Sequence, residues 1–382
     1  MSGSMRTTLR TAAICASVAV VAIAGAPWAS ASAAHLTTVA SGLDSPRHLT
    51  LHNGKLYIAE AGRGGSGPCV DGPEGPACFG TTGSVSVLDH GKLREVVGGF
   101  ASAAAPDGSF GGGPADVEFV HGVPAVLNQD LSINPQTGAN PFGPQAATLG
   151  KLTFAPGKHI VLGPDFAVFE AKHNPDGGAG AGPGEPVIDS DPYGMTPYRD
   201  GFAVADAAGN DLLYVDRSGR ISVLAVFPVK LAPAPPGLGL PPGTQIPMQP
   251  VPTSVVVGPD GALYVSELSS IGVGVARVWR VVPGHAPTIY ADGLTALTDL
   301  AFDRKGRLLV LTFAKDGIAA PPSDGVLTRI ERNGTRTVLA STGLAQATGL
   351  AVDGDDIYIA NHGTSPGTGS PSGTIEKLTV RW

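Results

Sequence analysis

Two sets of residues recur at corresponding places in the short apolar runs of this 382-residue chain. One set opens the first run of each repeat: His48, Asp116, Gly194, Ser254, Asp299 and Gly349. The other set closes the second run: Glu60, Gln129, Asp206, Glu267, Thr312 and Asn361. If the runs meet at one end of the fold, five carboxylates converge there, and hard oxygen ligands in that number suit Ca²⁺. The metal ligands would be Glu60, Asp116, Asp206, Glu267 and Asp299, with Asn361 and His48 nearby. A metal bound there would polarise a bond of a substrate, and a carboxylate or a histidine would serve as the base.

These polar residues also have a plainer interpretation. Side chains at the ends of strands commonly cap backbone groups or hold water without binding another ligand. His48 by itself is more often a hydrogen-bonded structural residue. Both interpretations stay open, because sequence spacing does not establish ligand geometry. The chain has no HExxH helix, phosphate loop or EF-hand loop, so enzymes that depend on those motifs lose support.

The elements that position these residues are short strands. The stretch 251–293 reads as four strands, because four β-rich apolar runs in it are bounded by turn residues. Similar units open near Pro46, Pro114, Pro192, Pro252, Leu297 and Ala347. A strand-only unit of roughly 40 residues that recurs along a chain is typical of a propeller blade. In the second unit, Phe166 to His173 predicts one short helix after the outer strand.

The last repeat indicates how the ring closes. It ends at SGTIEKLTVRW and lacks a fourth strand, whereas HLTTVASGL near the N-terminus resembles fourth-strand sequence of the fifth repeat. We therefore predict an all-β, six-bladed β-propeller closed by an N-terminal strand in the last blade, which hides the sheet edges of an open array. A pair of β-sandwiches does not explain the divided repeat.

The long insertions predict where a ligand binds. In such a blade the loops after strands two and four leave on one rim. The insertions 61–83, 130–149 and 314–325 follow second strands, and 171–191 and 228–252 follow fourth strands. Long loops in compact domains are often functional, so we expect a small molecule or a partner protein to bind this insertion-bearing rim. The alternative is that surface loops simply tolerate insertions.

Two cysteines lie nine positions apart in the first insertion. Cys69 and Cys78 flank a Gly- and Pro-rich segment, and in an oxidising compartment such a pair predicts a disulfide. A metal site would need two further soft ligands, and no adjacent Cys or His pair supplies them.

The N-terminus predicts export. Arg6 and Arg10 precede the apolar run 11–25, and an Ala-Ser-Ala triplet ends at Ala33, which is typical of a signal peptide over residues 1–33. The run is shorter than the roughly 20 residues of a membrane span. The remaining residues 34–382 would form a single propeller domain, secreted or periplasmic.

The full chain has a net charge of −7, which disfavours nucleic acid and anionic membranes as partners.

Several motifs resemble a known family. The runs SGLDSPRHL, CFGTTGSV, NPDGG followed by DPYGM, and VPTSVVVGPDGALYVSEL followed by LTDLAFD are similar to those of the ScyD/ScyE family. These exported proteins are named after members found with the biosynthesis of scytonemin, a cyanobacterial sunscreen pigment, and they resemble NHL-repeat propellers. The resemblance implies a secreted propeller and transfers no catalytic residues. Asp191 stands where that family's Asn-Pro-Tyr motif has Asn.

Two functional hypotheses remain at this point. The first is an exported binding or scaffold propeller that recognises a small molecule or a partner protein through the insertion-bearing rim. The second is a Ca²⁺-dependent hydrolase or lyase, similar to a lactonase, working at the carboxylates of the central channel. The first is favoured, because the sequence supplies no set of nucleophile, base and orienting residue.

Overall fold

The structure is a computed structural model that describes residues 28–30, 35–72, 75–129, 140–180, 188–235, 238–364 and 371–382. Within these residues the strands are, in chain order, β1 (Trp28–Ser30), β2 (Thr37–Leu43), β3 (Pro46–His52), β4 (Lys55–Glu60), β5 (Cys69–Gly72), β6 (Gly75–Asp89), β7 (Lys92–Ala104), β8 (Pro114–Val120), β9 (Val123–Asn128), β10 (Lys151–Phe154), β11 (Val161–Asp165), β12 (Pro192–Tyr198), β13 (Gly201–Asp206), β14 (Asp211–Val215), β15 (Ile221–Val226), β16 (Lys230–Pro233), β17 (Gln245–Met248), β18 (Pro252–Val257), β19 (Leu263–Glu267), β20 (Ala276–Val281), β21 (Thr288–Leu294), β22 (Leu297–Phe302), β23 (Leu308–Thr312), β24 (Val326–Ile330), β25 (Arg336–Ala340), β26 (Gly349–Asp353), β27 (Asp356–Asn361) and β28 (Gly373–Thr379). A 3-10 helix spans Pro144–Ala146, and the α-helix α1 spans Phe166–His173 as predicted.

Six sheets form the blades. From the inner to the outer strand they are β3-β4-β6-β7, β8-β9-β10-β11, β12-β13-β14-β15, β18-β19-β20-β21, β22-β23-β24-β25 and β26-β27-β28-β2. The first strands contact one another in a closed cycle, from β3 through β8, β12, β18, β22 and β26 back to β3. The predicted six-bladed propeller is confirmed.

The N-terminal strand closes the ring as predicted. β2 runs antiparallel to β28, with Thr37 opposite Lys377 and Leu43 opposite Gly373. The side chains of Ala40 and Leu43 are buried against the first blade. The chain therefore joins its two ends inside one sheet, and the outer edge of β28 is paired.

The core lies between the blades. Each of the six gaps between neighbouring blades holds its own cluster of buried apolar side chains. A middle strand contacts a neighbouring blade on both faces, so its sequence is mostly apolar: all five residues of β23, Leu-Leu-Val-Leu-Thr, are buried. Outer strands such as β21 are largely exposed and carry polar residues.

Hairpin chemistry determines where each strand reverses. Asn53 and Gly54 join β3 to β4, and His90 and Gly91 join β6 to β7, all with positive φ. Two-residue loops with both central residues in this conformation match the twist of the flanking strands. These hairpins leave on the rim opposite to the insertions.

The insertions carry structure of their own. β5 pairs with β6 so that Cys69 lies opposite Cys78, and the predicted disulfide between them is formed. The insertion after the third blade folds into the hairpin β16-β17. The segments 130–139 and 181–187 of two other insertions lie outside the described residues.

The predicted signal peptide falls almost entirely outside the described residues. Its residues Trp28–Ser30 form β1, which pairs in parallel with β25 at the outer edge of blade five. If the chain is cut after Ala33, the mature protein lacks this strand. No helix in the described part of the chain is long and apolar enough to cross a membrane. Cleavage after Ala33 stays a prediction.

Truncation of the closing strand should destabilise the whole ring. A chain that starts at Leu43 loses most of β2, which leaves the edge of β28 unpaired and uncovers apolar surface of blade six. We expect a loss of about 4 kcal/mol or more in the free energy of unfolding, measured by urea denaturation. A chain that starts at His35 is the control and should unfold like its parent. Equal stability of the two truncations would contradict closure by β2.

Candidate functional site

His48 reaches across the central channel. It lies in blade one, is 4 % exposed, and its Nε2 is 3.6 Å from Oδ1 of Asp299 in blade five. Its Nδ1 lies 3.2 Å from the carbonyl oxygen of Ala115 in blade two. The edge of the imidazole meets Tyr193 of blade three, with ring centroids 5.3 Å apart. Four blades therefore hold this one side chain in place.

The charge of His48 is set by opposing influences. Burial lowers the pKa of His48, but the carboxylates of Asp299 and Asp116 outweigh it, so the pKa lies above its ordinary value. Among the described residues, Nε2 has no hydrogen-bond partner. The contact with Asp299 is therefore ionic, and the imidazole keeps one polar atom unused.

Asp116 and Asp299 connect neighbouring blades. Oδ2 of Asp116 accepts the backbone N–H of Met195 in the next blade at 2.8 Å, and Oδ2 of Asp299 accepts that of Leu350 in its next blade at 2.7 Å. The hydroxyl of Ser254 donates to Oδ1 of Asp299 at 2.6 Å. Burial raises the pKa of Asp116 to about 6 and also raises the pKa of Asp299. Both carboxylates thus bridge blades besides facing His48.

Glycine occupies the same strand position in blades three and six. A Cβ atom on Gly194 would lie 2.5 Å from the carbonyl oxygen of Thr253, and one on Gly349 would lie 2.1 Å from that of Arg47. Real Cβ atoms do not approach backbone oxygens so closely. The inner strands are therefore packed too tightly at this level for a ring of six side chains.

Glu60 points into its own blade instead of the channel. Its carboxylate accepts hydrogen bonds from the hydroxyls of Ser84 and Ser86 on β6 and from the backbone N–H of Asp44 at 2.7 Å. Burial raises the pKa of Glu60, and these hydrogen bonds oppose the rise. The residue ties the second strand of blade one to the third strand and to the start of the blade.

Glu267 has a corresponding place in blade four. Its side chain is fully buried, and Oε2 lies 2.7 Å from Nε of Arg277 on β20. Oε1 accepts a hydrogen bond from the indole Nε1 of Trp279. Burial raises the pKa of Glu267, while the Arg277 guanidinium lowers it. Glu267 is thus half of a buried ion pair.

Asp206 is held at the rim between blades two and three. It accepts hydrogen bonds from the hydroxyl of Ser190 at 2.6 Å and from the backbone N–H groups of Asp191 and Gly209 at 2.7 and 3.0 Å. Burial raises the pKa of Asp206. Its charged neighbours are other rim carboxylates.

The structure does not bring the five predicted metal ligands together. Asp116 and Asp299 flank His48, whereas Glu60, Glu267 and Asp206 lie in three separate environments. The physical reason is that first-strand starts face the axis, but second-strand ends turn toward the third strand or the rim loops. In the described part of the chain, no three His, Cys, Asp or Glu side chains have an arrangement that could hold a metal ion.

Asn361 lines a cavity beside the closing strand. The cavity has a volume of about 480 Å³ and is bounded by His35, Leu36, Thr38, Thr342, Gly343, Asn361, His362, Thr374 and Glu376. Asn361 is 2 % exposed, and its Nδ2 donates to the carbonyl oxygen of Gly343 at 3.1 Å. Its amide oxygen has no hydrogen-bond partner among the described residues. The predicted funnel residue therefore belongs to the junction of blades five and six.

Sequence reasoning missed two charged residues of the channel. Arg47 is buried, and its guanidinium donates to the carbonyl oxygens of Gly111 and Gly363. Glu118 follows Asp116 by two positions on the same strand face, and burial together with the Asp116 charge raises the pKa of Glu118 to about 8. An arginine next to His48, and the two-residue spacing of the acids on β8, were the available signals.

The comparisons with known proteins show the fold. No protein-family model matches the chain, and no curated protein matches it. Among solved structures, a protein of unknown function from Bacteroides thetaiotaomicron has a TM-score of 0.51 at 8% identity, covering 91% of this chain and 76% of that one. Regucalcin from Agrobacterium tumefaciens, a calcium-binding protein, has a TM-score of 0.50 at 11% identity, covering 94% and 98%. Virginiamycin B lyase from Staphylococcus aureus has 0.47 at 14% identity, covering 91% and 99%.

Loss of the buried ion pair between Glu267 and Arg277 should lower the free energy of unfolding. Arg277→Met leaves Glu267 buried without its cation, and breaking such a pair costs about 3–5 kcal/mol in the free energy of unfolding. Arg280→Met on the same strand is the matched control, since Arg280 pairs with Asp260 at the exposed surface and its loss should change little. Denaturant unfolding of both variants checks the difference; equal effects would contradict the buried role.

The channel acids should make stability fall as the pH rises. The pKa of Glu118 is raised from 4.5 to about 8, so its contribution is fully present below pH 4.5 and is lost as the pH rises to about 8. Glu118→Gln should therefore reduce the stability difference between pH 5 and pH 8, measured by urea unfolding at both values. Exposed Glu95→Gln is the control. An unchanged difference in Glu118→Gln would refute the assignment.

Proposed function

We propose that this protein is an exported binding propeller that takes a small polar molecule in the cavity beside the closing strand. The observation that carries the proposal is Asn361, which lines that cavity and whose buried amide oxygen has no hydrogen-bond partner in the described part of the chain. Leaving such an acceptor unsatisfied costs about 1–3 kcal/mol. A ligand with a hydroxyl or N–H donor would recover that cost.

The chemistry of the cavity wall favours a polar ligand. The hydroxyls of Thr38 and Thr374 donate to the carboxylate of Glu376, and their oxygens still accept hydrogen bonds. The hydroxyl of Thr342 and the imidazole of His362 add further polar groups to the wall. The volume of about 480 Å³ falls in the range of roughly 300–1,000 Å³ that small-molecule sites occupy. A hydroxylated compound, such as a sugar or polyol, fits this wall better than an apolar one.

The position of the cavity agrees with the insertion-bearing rim. Asn361 ends a second strand, and Thr342 follows a fourth strand, so both lie where the long loops leave. Closure by the N-terminal strand supplies the remaining wall through His35, Leu36 and Thr38. The same strand that completes the ring therefore completes the site.

The proposal includes a family for this chain and a location outside the cytoplasm. The motif resemblance supports membership in the ScyD/ScyE family of exported proteins, which implies a secreted propeller and transfers no catalytic residues. The disulfide Cys69–Cys78 is compatible with a secreted or periplasmic protein. Expression with residues 1–33 and N-terminal sequencing of the exported protein would test the cleavage site.

Binding can be measured directly. A panel of sugars, polyols and hydroxy acids is screened against the purified protein by ligand-observed NMR and thermal shift. Asn361→Leu should abolish binding, because it removes the free acceptor, while Asn333→Leu in a hairpin on the opposite rim should retain it. Equal binding of a ligand by both variants would count against this cavity as the site. So would a panel in which no compound binds.

The second candidate function is hydrolysis or elimination at the channel. His48 favours this reaction, because its Nε2 lies 3.6 Å from Asp299 without a hydrogen-bond partner among the described residues, and because two carboxylates raise its pKa. The burial of His48 argues against catalysis there, since a substrate could reach the imidazole only if the channel opened. Lactones and phosphoesters are assayed with and without Ca²⁺; turnover that His48→Gln abolishes, with the fold intact by circular dichroism, would establish the enzyme instead.

A further inference from the structure

The rim between blades two and three gathers carboxylates that the channel does not use. They come from α1, from the turn after it, from the end of the same insertion and from both ends of one hairpin, and they are Glu170, Asp176, Asp189, Asp206 and Asp211. In the hairpin, Asp206 of β13 lies directly opposite Asp211 of β14. Like charges opposite each other in a sheet destabilise it.

Asp211 is the residue that calls for an explanation. Its side chain is 0 % exposed, and neither carboxylate oxygen has a hydrogen-bond partner among the described residues. Removing a carboxylate from water without compensation costs several kcal/mol. The buried acids Asp116, Asp299 and Glu267 avoid that cost, because all three accept hydrogen bonds.

No basic side chain compensates the cluster. The ion pairs in the described ranges include none of its five members. Burial, together with the charges of Asp206 and Asp176, raises the pKa of Glu170 to about 8. Burial also raises the pKa of Asp211 well above its ordinary value. The cluster therefore needs either protons or an added cation.

Two carboxylates are already held in place around Asp211. Asp206 is fixed by Ser190 and backbone N–H groups. Asp176 accepts the backbone N–H of Gly178 at 2.7 Å and the side-chain amide of Asn210 at 2.9 Å. Their positions therefore do not depend on a bound ion, as expected of a preorganised site.

We propose that this rim cluster binds one calcium ion, with Asp211 as a charged ligand. The donors are all oxygens, which select a hard cation, and the irregular loop geometry suits Ca²⁺ better than the strict octahedron of Mg²⁺. Because no three acidic side chains in the described ranges already stand at ligand spacing, amide and backbone oxygens complete the site. The buried Oδ1 of Asn174, the residue that caps the C-terminus of α1, has no hydrogen-bond partner among the described residues and would be one such ligand.

Calcium binding is tested on the purified protein after treatment with a chelator. Calcium chloride should raise the melting temperature by the mass-action amount RT ln(1 + [L]/Kd), and magnesium chloride should raise it less. Asp211→Asn keeps the side-chain shape and removes the charge. It should abolish the calcium shift, and in the chelator it should melt no lower than the parent, because repulsion with Asp206 is relieved.

Further variants make the outcome decisive. Exposed Asp260→Asn is the matched control and should keep the full calcium shift. If Asp211→Asn does not fold, Glu170→Gln replaces it and should weaken binding in isothermal titration calorimetry. No calcium shift or binding heat in the parent would overturn the proposal. A full shift in Asp211→Asn, or a shift lost only in Asp116→Asn, would overturn it as well, the latter by placing the ion in the channel.

Discussion

The packing of apolar strand faces between neighbouring blades is the interaction on which the rest of the structure depends. Each gap has its own buried cluster, and the cycle of first strands is complete only because β2 supplies the outer strand of the last blade. An open array would expose to water the apolar faces of the first and last blades, together with the edge of β28. Closure therefore stabilises every blade through its neighbours, and it also positions the walls of the Asn361 cavity.

Close packing at the axis imposes a second constraint on charged residues. Polar side chains at the starts of first strands are buried by the ring, so each must find a partner within reach. Asp116 and Asp299 use backbone N–H groups of the next blade, and Glu60 uses hydroxyls of its own blade. In these positions the acids act as connectors. Structural partners thus account for most of the carboxylates that looked like metal ligands.

Several buried polar groups lack a hydrogen-bond partner among the described residues. His48 Nε2, Asn361 Oδ1 and both oxygens of Asp211 are buried without hydrogen-bond partners in the described part of the chain. They lie in three different settings: a closely packed axis, a polar cavity and an acidic rim. Of these three places, only the cavity and the rim are bounded by loops. We therefore propose ligand binding at those two places and keep the channel as the second candidate for a functional site.

The sequence by itself determined the blades and their closure. Alternating apolar runs, Gly-containing hairpins and the divided last repeat are local signals, because strand faces and turn conformations depend on neighbouring residues. The helix Phe166–His173 and the Cys69–Cys78 bridge were readable for the same reason. What the tertiary structure alone decided is the direction of each polar side chain. Equivalent repeat positions place Glu60 and Glu267 at the same level along the propeller axis as Asp116. Contacts within each blade determine their partners, which are Ser84 for Glu60 and Arg277 for Glu267. Asp211 was unremarkable in sequence, since its burial and its proximity to Asp206, Glu170 and Asp176 arise only in the folded protein.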